Sequence, residues 1–181
     1  VANALAAATA ALAAGLPAGL IAEALSGATA RSRWRMQLSP RPDGVLIVND
    51  SYNANPDSMR AALTTVAAMR RPGGRLIAVL GDMLELGPDA AEEHRLLGEL
   101  AAGLGFAVVA LGEFADDIAA GVREVGETVQ VVSDRAAAVA VAGADLQPSD
   151  VVVVKASRGL ALDVVADALA SGPQREAGRT A

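Results

Sequence analysis

The feature that most constrains the fold is a fivefold alternation between short apolar runs and helical patterns, which begins at Val45. Each run is mostly Val, Ile, Leu and Ala, and polar or small residues follow it before the helical pattern starts. Strands that are apolar on both faces and are each followed by a helix are typical of a parallel sheet covered by helices on both sides. The sequence therefore predicts an α/β domain with a Rossmann-like, doubly wound, mostly parallel sheet. The predicted strands are 45–48, 75–80, 106–111, 129–132 and 151–154, and the predicted helices are 57–69, 88–102, 114–124, 135–144 and 160–170.

Polar side chains follow the first predicted strand in unusual number. In a parallel sheet the carboxyl ends of the strands share one edge, and ligands bind there. Asp50 is placed to accept hydrogen bonds from the vicinal hydroxyls of a ribose, and the amides of Asn53 and Asn55 can both donate and accept. The alternative is local: Asn55 caps the following helix and Asn53 forms an Asx turn.

The last predicted strand ends in Lys155, Ser157 and Arg158, which place two cations and a hydroxyl before a helix. A helix N-terminus adds positive potential, so this loop suits an anion. The alternative is a solvated basic turn in which Arg158 pairs with Asp163.

Other polar residues at strand ends favour structural roles at least as much as chemical ones. Asp82 and Glu85 form either a catalytic carboxylate pair or part of a structural loop that packs on the loop after the first predicted strand. The sole histidine, His94, is expected to be structural, and the sole tryptophan, Trp34, is expected to pack between domains rather than to stack on a ligand.

Composition excludes several classes of function. The chain has no cysteine, which excludes disulfides and thiolate chemistry, and a single histidine argues against a zinc site, so no metal site is expected in this chain. Its net charge is −6 and it has no long basic cluster, so neither a nucleic-acid partner nor a nucleic-acid surface is expected. The phosphate-binding pattern GxxxxGK[ST], a GxGxxG after a strand and the nucleophile pattern GxSxG are all absent from the sequence. The residues alone thus predict a ligand-binding domain without naming a reaction.

The alanine-rich start differs from the rest of the chain. It predicts two helices, 2–14 and 17–26, separated by Gly15 and Pro17, and the break together with Glu23 argues against a membrane span. Because two such helices bury little against each other, residues 1–30 are expected to be the helical end of a preceding domain. The predicted organisation continues with a hinge at 31–44 containing a short edge strand near 36–38, the α/β domain at 45–171 and a loose tail at 172–181.

Three segments, taken in order, resemble motifs in the C-terminal part of the Mur ligases. They are residues 50–59 (DSYNANPDSM), residues 81–87 (GDMLELG) with His94 after them, and residues 155–159 (KASRG). Residues 1–8 resemble a helix late in that family's central ATPase domain, and residues 35–37 resemble the segment at the hinge into its last domain.

The resemblance implies a nucleotide- and substrate-closing domain of an ATP-dependent amide ligase in cytoplasmic peptidoglycan synthesis. Within the family the motifs are most similar to those of members that add D-alanyl-D-alanine to UDP-N-acetylmuramoyl-tripeptide through an acyl phosphate. The ligands of Mg²⁺ and of the phosphates of ATP are expected in the central domain, outside this chain. The chain alone is therefore expected to be inactive, and none of its residues is assigned a chemical step.

The resemblance also assigns residues by position. Four would hold the nucleotide, namely Arg35, Asp50, Asn53 and Asn55. Four would face the dipeptide, namely Tyr52, Lys155, Ser157 and Arg158, with a cation positioned for its carboxylate.

Two departures from the family pattern are visible. Ala156 stands where the last motif usually has glycine, which is a mild change unless the position needs a positive φ. Lys-Gly usually precedes the hinge arginine, whereas Arg33 and Trp34 precede Arg35 here, so either arginine could be the hinge residue. A sibling ligase that adds a different amino acid, and a binding module without catalytic activity, are the alternatives.

Overall fold

The computed structural model describes residues 2–27 and 33–172, and these fall into two compact units, one on each side of the gap between them. The first unit is a pair of helices, α1 (Ala2–Ala13) and α2 (Ala18–Ser26), joined by a turn in which Gly15 has a φ of +83°. Both predicted helices are therefore present. The leucines of this unit are exposed, at positions 5, 12, 16, 20 and 25, and Ile21 is buried.

The second unit is built on a sheet of six strands, β1 (Gln37–Pro40), β2 (Leu46–Asn49), β3 (Leu76–Leu80), β4 (Phe106–Ala110), β5 (Val129–Val131) and β6 (Val151–Lys155). Their order in the sheet is β1-β2-β6-β3-β4-β5. The strand β1 pairs with β2 in the antiparallel sense, and the other neighbours are parallel, so the predicted mostly parallel sheet is confirmed. The edge strand expected near residues 36–38 is β1.

Five helices cover the sheet, one after each of the strands β2 to β6. They are α3 (Pro56–Ala67), α4 (Ala90–Gly103), α5 (Ala115–Glu124), α6 (Arg135–Gly143) and α7 (Asp163–Ser171). The last helix was predicted from residue 160 but starts at Asp163. The reason is a 3₁₀ turn, Arg158–Leu160, followed by Ala161 with a φ of 49°, a conformation that an α-helix cannot contain.

The core consists of two layers, one on each face of the sheet. In β6, Val151 and Val153 pack into the layer with α3, α4 and α5, whereas Val152 and Val154 pack into the layer with α6 and α7. This alternation follows from the two-residue period of a strand, and it explains why every residue of β6 is apolar until Lys155. The sheet is therefore doubly wound, as predicted.

No helix in residues 2–27 and 33–172 has the length and apolar character needed to cross a bilayer. The tail expected at 172–181 lies outside the described residues except for Gly172, and so does the start of the predicted hinge, residues 31 and 32.

Candidate functional site

Asp50 and Lys155 form a buried ion pair at the carboxyl ends of β2 and β6. The two strands are parallel neighbours with Asn49 opposite Val154, so the next residue of each chain segment lies at the same level. The Nζ of Lys155 lies 2.6 Å from Oδ2 of Asp50 and donates to the carbonyl of Asn53 at 2.8 Å. The side chains of Lys155 and Asp50 are 2% and 14% exposed.

This position differs from the one expected for Lys155. The resemblance places its cation toward the dipeptide, whereas the structure turns the amine into the protein, toward Asp50 and Asn53. An ammonium removed from water requires an anion and further acceptors, and the loop after β2 supplies both. Lys155 therefore ties the loop after β2 to β6.

The other oxygen of Asp50 holds a second segment, residues 33–36. The backbone N–H of Met36 donates to Oδ1 of Asp50 at 2.9 Å, and the N–H of Tyr52 donates to the carbonyl of Trp34 at 3.1 Å. These contacts attach the segment that carries Arg33 and Arg35 directly to the loop after β2.

Three arginines at this edge lie over aromatic rings, and the most distant is Arg33, whose guanidinium is 5.8 Å from the ring centroid of Trp34. The guanidinium of Arg35 is 4.1 Å from the ring centroid of Tyr52, and that of Arg158 is 4.1 Å from the ring of Trp34. Arg158 also donates to Asp163 at 2.5 Å, so the pairing expected from the sequence is present. Trp34, which was expected to pack between domains, lies under Arg158, and no sequence pattern predicts that contact.

Asn55 is the N-cap of α3. Its Oδ1 accepts from the N–H of Ser58 at 2.8 Å, and Oγ of Ser58 accepts from the N–H of Asn55 at 3.1 Å, which forms a capping box. Asn53 bonds locally as well, since its Oδ1 accepts from the N–H of Ala54 at 2.9 Å. Both asparagines are exposed. The local interpretation is therefore confirmed for Asn55, and the cap bond uses the oxygen of its amide and not the nitrogen.

Ser157 connects the last loop to the loop after β3. Its N–H donates to the carbonyl of Asp82, and its Oγ accepts from the N–H of Leu84, each at 2.9 Å. Because Ser157 is only 4% exposed, it holds the two loops together from the inside.

Asp82 and His94 are structural, and Glu85 does not complete a carboxylate pair. Both oxygens of Asp82 accept backbone N–H groups, from Glu113 and Phe114, before α5, while Glu85 is exposed. The Nε2 of His94 accepts from the N–H of Met83 at 2.8 Å. The imidazole proton is therefore on Nδ1, which donates to the carbonyl of Ala90 at 2.6 Å.

The departure at Ala156 is accommodated without strain. Ala156 is buried and does not have a positive φ, so glycine is not required there. Its Cβ packs against Gly81, since a Cβ added to Gly81 would lie 3.0 Å from it and 2.5 Å from a methyl group of Leu160.

Comparison with known proteins shows the family of this chain. Residues 34–158 match the family described as "Mur ligase, glutamate ligase domain". A protein of Mycobacterium tuberculosis named UDP-N-acetylmuramoyl-tripeptide–D-alanyl-D-alanine ligase is 41% identical over 93% of the chain and 37% of its own length. The chain thus spans little more than a third of this curated relative.

Solved structures of ligases from the same family are similar to this chain in fold. A crystal structure of MurF from Acinetobacter baumannii matches with a TM-score of 0.82 and 29% identity, over 93% of this chain and 37% of that one. MurF from Thermotoga maritima in complex with ADP matches with a TM-score of 0.65 and 26% identity, over 81% and 32% of the two chains.

The family match covers more than half of the chain and includes most of the described site residues, and the fold agrees over nearly the whole chain. The chain belongs to the Mur ligase family.

Proposed function

We propose that this chain contains the C-terminal domain of an ATP-dependent ligase that adds D-alanyl-D-alanine to UDP-N-acetylmuramoyl-tripeptide in cytoplasmic peptidoglycan synthesis. The observation that carries the proposal is the meeting of three separate motifs at one edge of the sheet, joined through Asp50, Lys155 and Ser157. We infer the substrates from those named for its relatives, and the polar, cationic edge of the sheet is suited to bind a nucleotide and a carboxylate.

The candidate residues divide into those that reach solvent and those that support them. Three residues are buried or mostly buried and hold the loops after β2, β3 and β6 in place, namely Asp50, Lys155 and Ser157. The exposed or half-exposed side chains, which are suited to contact ligands, are Arg35, Tyr52, Asn53, Asn55 and Arg158.

On the nucleotide side we assign Arg35, Asn53 and Asn55 to direct contacts. Asp50 keeps a partly exposed carboxylate beside them, and each of its oxygens has lone pairs beyond the one bond that Met36 or Lys155 uses. On the dipeptide side we assign Tyr52 and Arg158. Ser157 and Lys155 support these contacts from the interior.

ATP and Mg²⁺ are the expected co-reactant and metal of the complete ligase. Within residues 2–27 and 33–172, no group of three acidic or imidazole side chains is placed to hold a metal ion. Following the family resemblance, we assign the ligands of Mg²⁺ and of the ATP phosphates to the central domain of the complete enzyme. The contribution of this chain is to bind and orient the adenosine end of the nucleotide and the incoming amine.

In the same proposal, residues 1–30 are the helical end of the central ATPase domain, residues 31–44 are the hinge, and residues 45–171 are the closing domain. The exposed leucines of α1 and α2 supply apolar surface for the body of such a domain.

The experiment places this chain after the N-terminal part of the M. tuberculosis relative and follows phosphate release from ATP with UDP-N-acetylmuramoyl-tripeptide. We expect release that depends on D-alanyl-D-alanine and not on single amino acids. An Arg158→Ala variant should raise KM for the dipeptide about 10-fold or more, the effect of losing one charge-assisted contact, while Arg123→Ala, at an exposed arginine in the last turn of α5, serves as the control.

Two results would contradict the proposal. Release with a single amino acid in place of the dipeptide would favour a sibling ligase. No release with any acceptor, from a chimera that is folded and binds ATP, would favour a binding module without catalytic activity.

A further inference from the structure

Trp34 has a backbone conformation that bulky residues rarely adopt. Its φ is +60°, in the left-handed region where contact of Cβ with the following carbonyl oxygen is unfavourable for every residue except glycine. Met36, two residues later, has a φ of +46°. Such strain persists only where surrounding contacts impose it, and it often occurs at functional sites.

Three hydrogen bonds hold the segment in this conformation. The N–H of Trp34 donates to Oε1 of Gln37 at 3.2 Å, and its carbonyl accepts from Tyr52. The N–H of Met36 donates to Asp50, whose carboxylate is itself fixed by Lys155. The strained turn is thus bonded to the buried ion pair of the site.

The result of this conformation is the position of the indole under Arg158, a residue 124 positions later in the chain. The ring contacts the guanidinium face at 4.1 Å, while Asp163 takes a hydrogen bond from one terminal nitrogen. A guanidinium has five N–H donors in one plane, so donors remain for a ligand. Because Lys155 is buried, Arg158 is the cation of its loop that reaches solvent, with 48% of its side chain exposed.

We propose that Trp34 is a positioning residue, which fixes the plane of the Arg158 guanidinium so that its remaining donors bind the carboxylate of the incoming dipeptide. The role in substrate binding rests on the function proposed above. The stacking contact itself does not, so the two are tested separately.

The stacking contact is tested in the 181-residue chain by fluorescence, because Trp34 is its only tryptophan. We expect Arg158→Ala to shift the emission to longer wavelength and to increase quenching by acrylamide, since the ring loses the nearer of the two guanidinium groups over it, while Arg33 stays at 5.8 Å. The control Arg123→Ala should leave both unchanged. If Arg158→Ala also leaves both unchanged, the arginine does not cover the ring and the proposal is overturned, whatever the enzyme's activity.

The positioning role is tested in the chimeric ligase with Trp34→Gly and Trp34→Phe. Glycine accepts the positive φ, so Trp34→Gly should keep or raise the melting temperature, yet raise KM for D-alanyl-D-alanine about 3- to 10-fold through loss of the cation–π contact. Phenylalanine retains a ring and should keep KM within about twofold of the wild type.

A structural role would give a different pattern, with KM unchanged in any variant that is stably folded. A stable Trp34→Gly enzyme with wild-type KM would overturn the proposal. If the wild-type chimera lacks dipeptide-dependent activity, the proposed function fails, and the fluorescence measurement still decides whether Trp34 holds Arg158.

Discussion

At the scale of single residues, the pairing of Lys155 with Asp50 determines which groups of the site can reach a ligand. A buried ammonium without a counter-ion is strongly unfavourable, and replacement of one partner leaves the other charge uncompensated. The two partners are not equally buried, since the side chain of Lys155 is 2% exposed and that of Asp50 is 14% exposed. Their removal should therefore have unequal effects.

We expect Asp50→Asn to lower the free energy of unfolding by about 3–5 kcal/mol, because it leaves the Lys155 ammonium buried without an anion. Lys155→Met should cost less, since the remaining carboxylate is partly exposed and still accepts from Met36. Urea unfolding of both variants and of the double variant measures this. The double variant should be more stable than Asp50→Asn alone, and equal stabilities of Asp50→Asn and the wild type would show that the pair contributes nothing.

At the scale of elements, the loop after β2 and the helix α3 share the capping box of Asn55 and Ser58. A cap satisfies N–H groups of the first turn that have no partner within the helix. The same asparagine is assigned above to the nucleotide, so its contribution to stability must be measured apart from its contribution to binding.

For this purpose we expect Asn55→Ala to lower the free energy of unfolding by about 1 kcal/mol, the usual cost of a lost N-cap. Asn55→Asp is the matched control, because aspartate is as good an N-cap as asparagine. Its free energy of unfolding should be within about 0.5 kcal/mol of that of the wild type. Equal unfolding midpoints of Asn55→Ala and Asn55→Asp in urea would show that the cap bond is not needed.

The helices α4 and α5 approach closely at two glycines. A Cβ added to Gly98 would lie 1.9 Å from the carbonyl oxygen of Ile118, and one added to Gly121 would lie 1.8 Å from that of Arg95. The obstructing atoms belong to backbone and cannot rotate away. In contrast, Gly103, the last residue of α4, has no atom within 4 Å of such a Cβ.

We therefore expect Gly98→Ala to destabilise the fold by about 1–3 kcal/mol or more, the cost of overpacking, although alanine is the better helix former. Gly103→Ala, the matched control, should be neutral or stabilising by up to about 1 kcal/mol. The measurement is the difference in thermal and urea midpoints between the two variants. A Gly98→Ala protein as stable as Gly103→Ala would mean that α4 and α5 are farther apart than described.

At the level of the complete fold, the sequence was sufficient to predict the sheet and the edge of the sheet that carries the site. Apolar runs such as Val151 to Val154 predict buried strands, and the shared edge of parallel strands brings polar strand ends together. What the pattern does not contain is strand order: β6 lies between β2 and β3, and this insertion alone places Lys155 beside Asp50. The stacking of Arg158 on Trp34 could not be predicted either. Glycine in a sequence indicates where the backbone can have a positive φ, whereas tryptophan gives no such indication.

The opposite edge of the sheet carries a second buried charge, Asp150, which joins the starts of three strands. Its backbone carbonyl accepts from Leu46, and its carboxylate accepts from the N–H groups of Arg75 and Gln147 and from the Arg75 guanidinium. Burial acts to raise the pKa of Asp150, but the hydrogen bonds from Arg75 and Gln147 outweigh it and hold the pKa below its ordinary value.

Acid should therefore weaken the whole domain through Asp150. A carboxyl whose pKa is depressed by folding contributes stability above the pKa of about 3.9 that it has in the unfolded chain, and this stability is lost as pH falls through the folded value.

We expect Asp150→Asn to lower the free energy of unfolding at pH 7 by about 1–3 kcal/mol relative to the wild type, because charged hydrogen bonds are lost. The gap should stay constant from about pH 8 to pH 5 and narrow below about pH 4, where the wild-type carboxylate gains its proton. Urea unfolding at several pH values measures it, with Asp167→Asn, at an exposed carboxylate on α7, as the control that should show no such gap. A gap that persists unchanged to pH 3 would show that the charge of Asp150 does not join the strands, because protonation would then cost nothing.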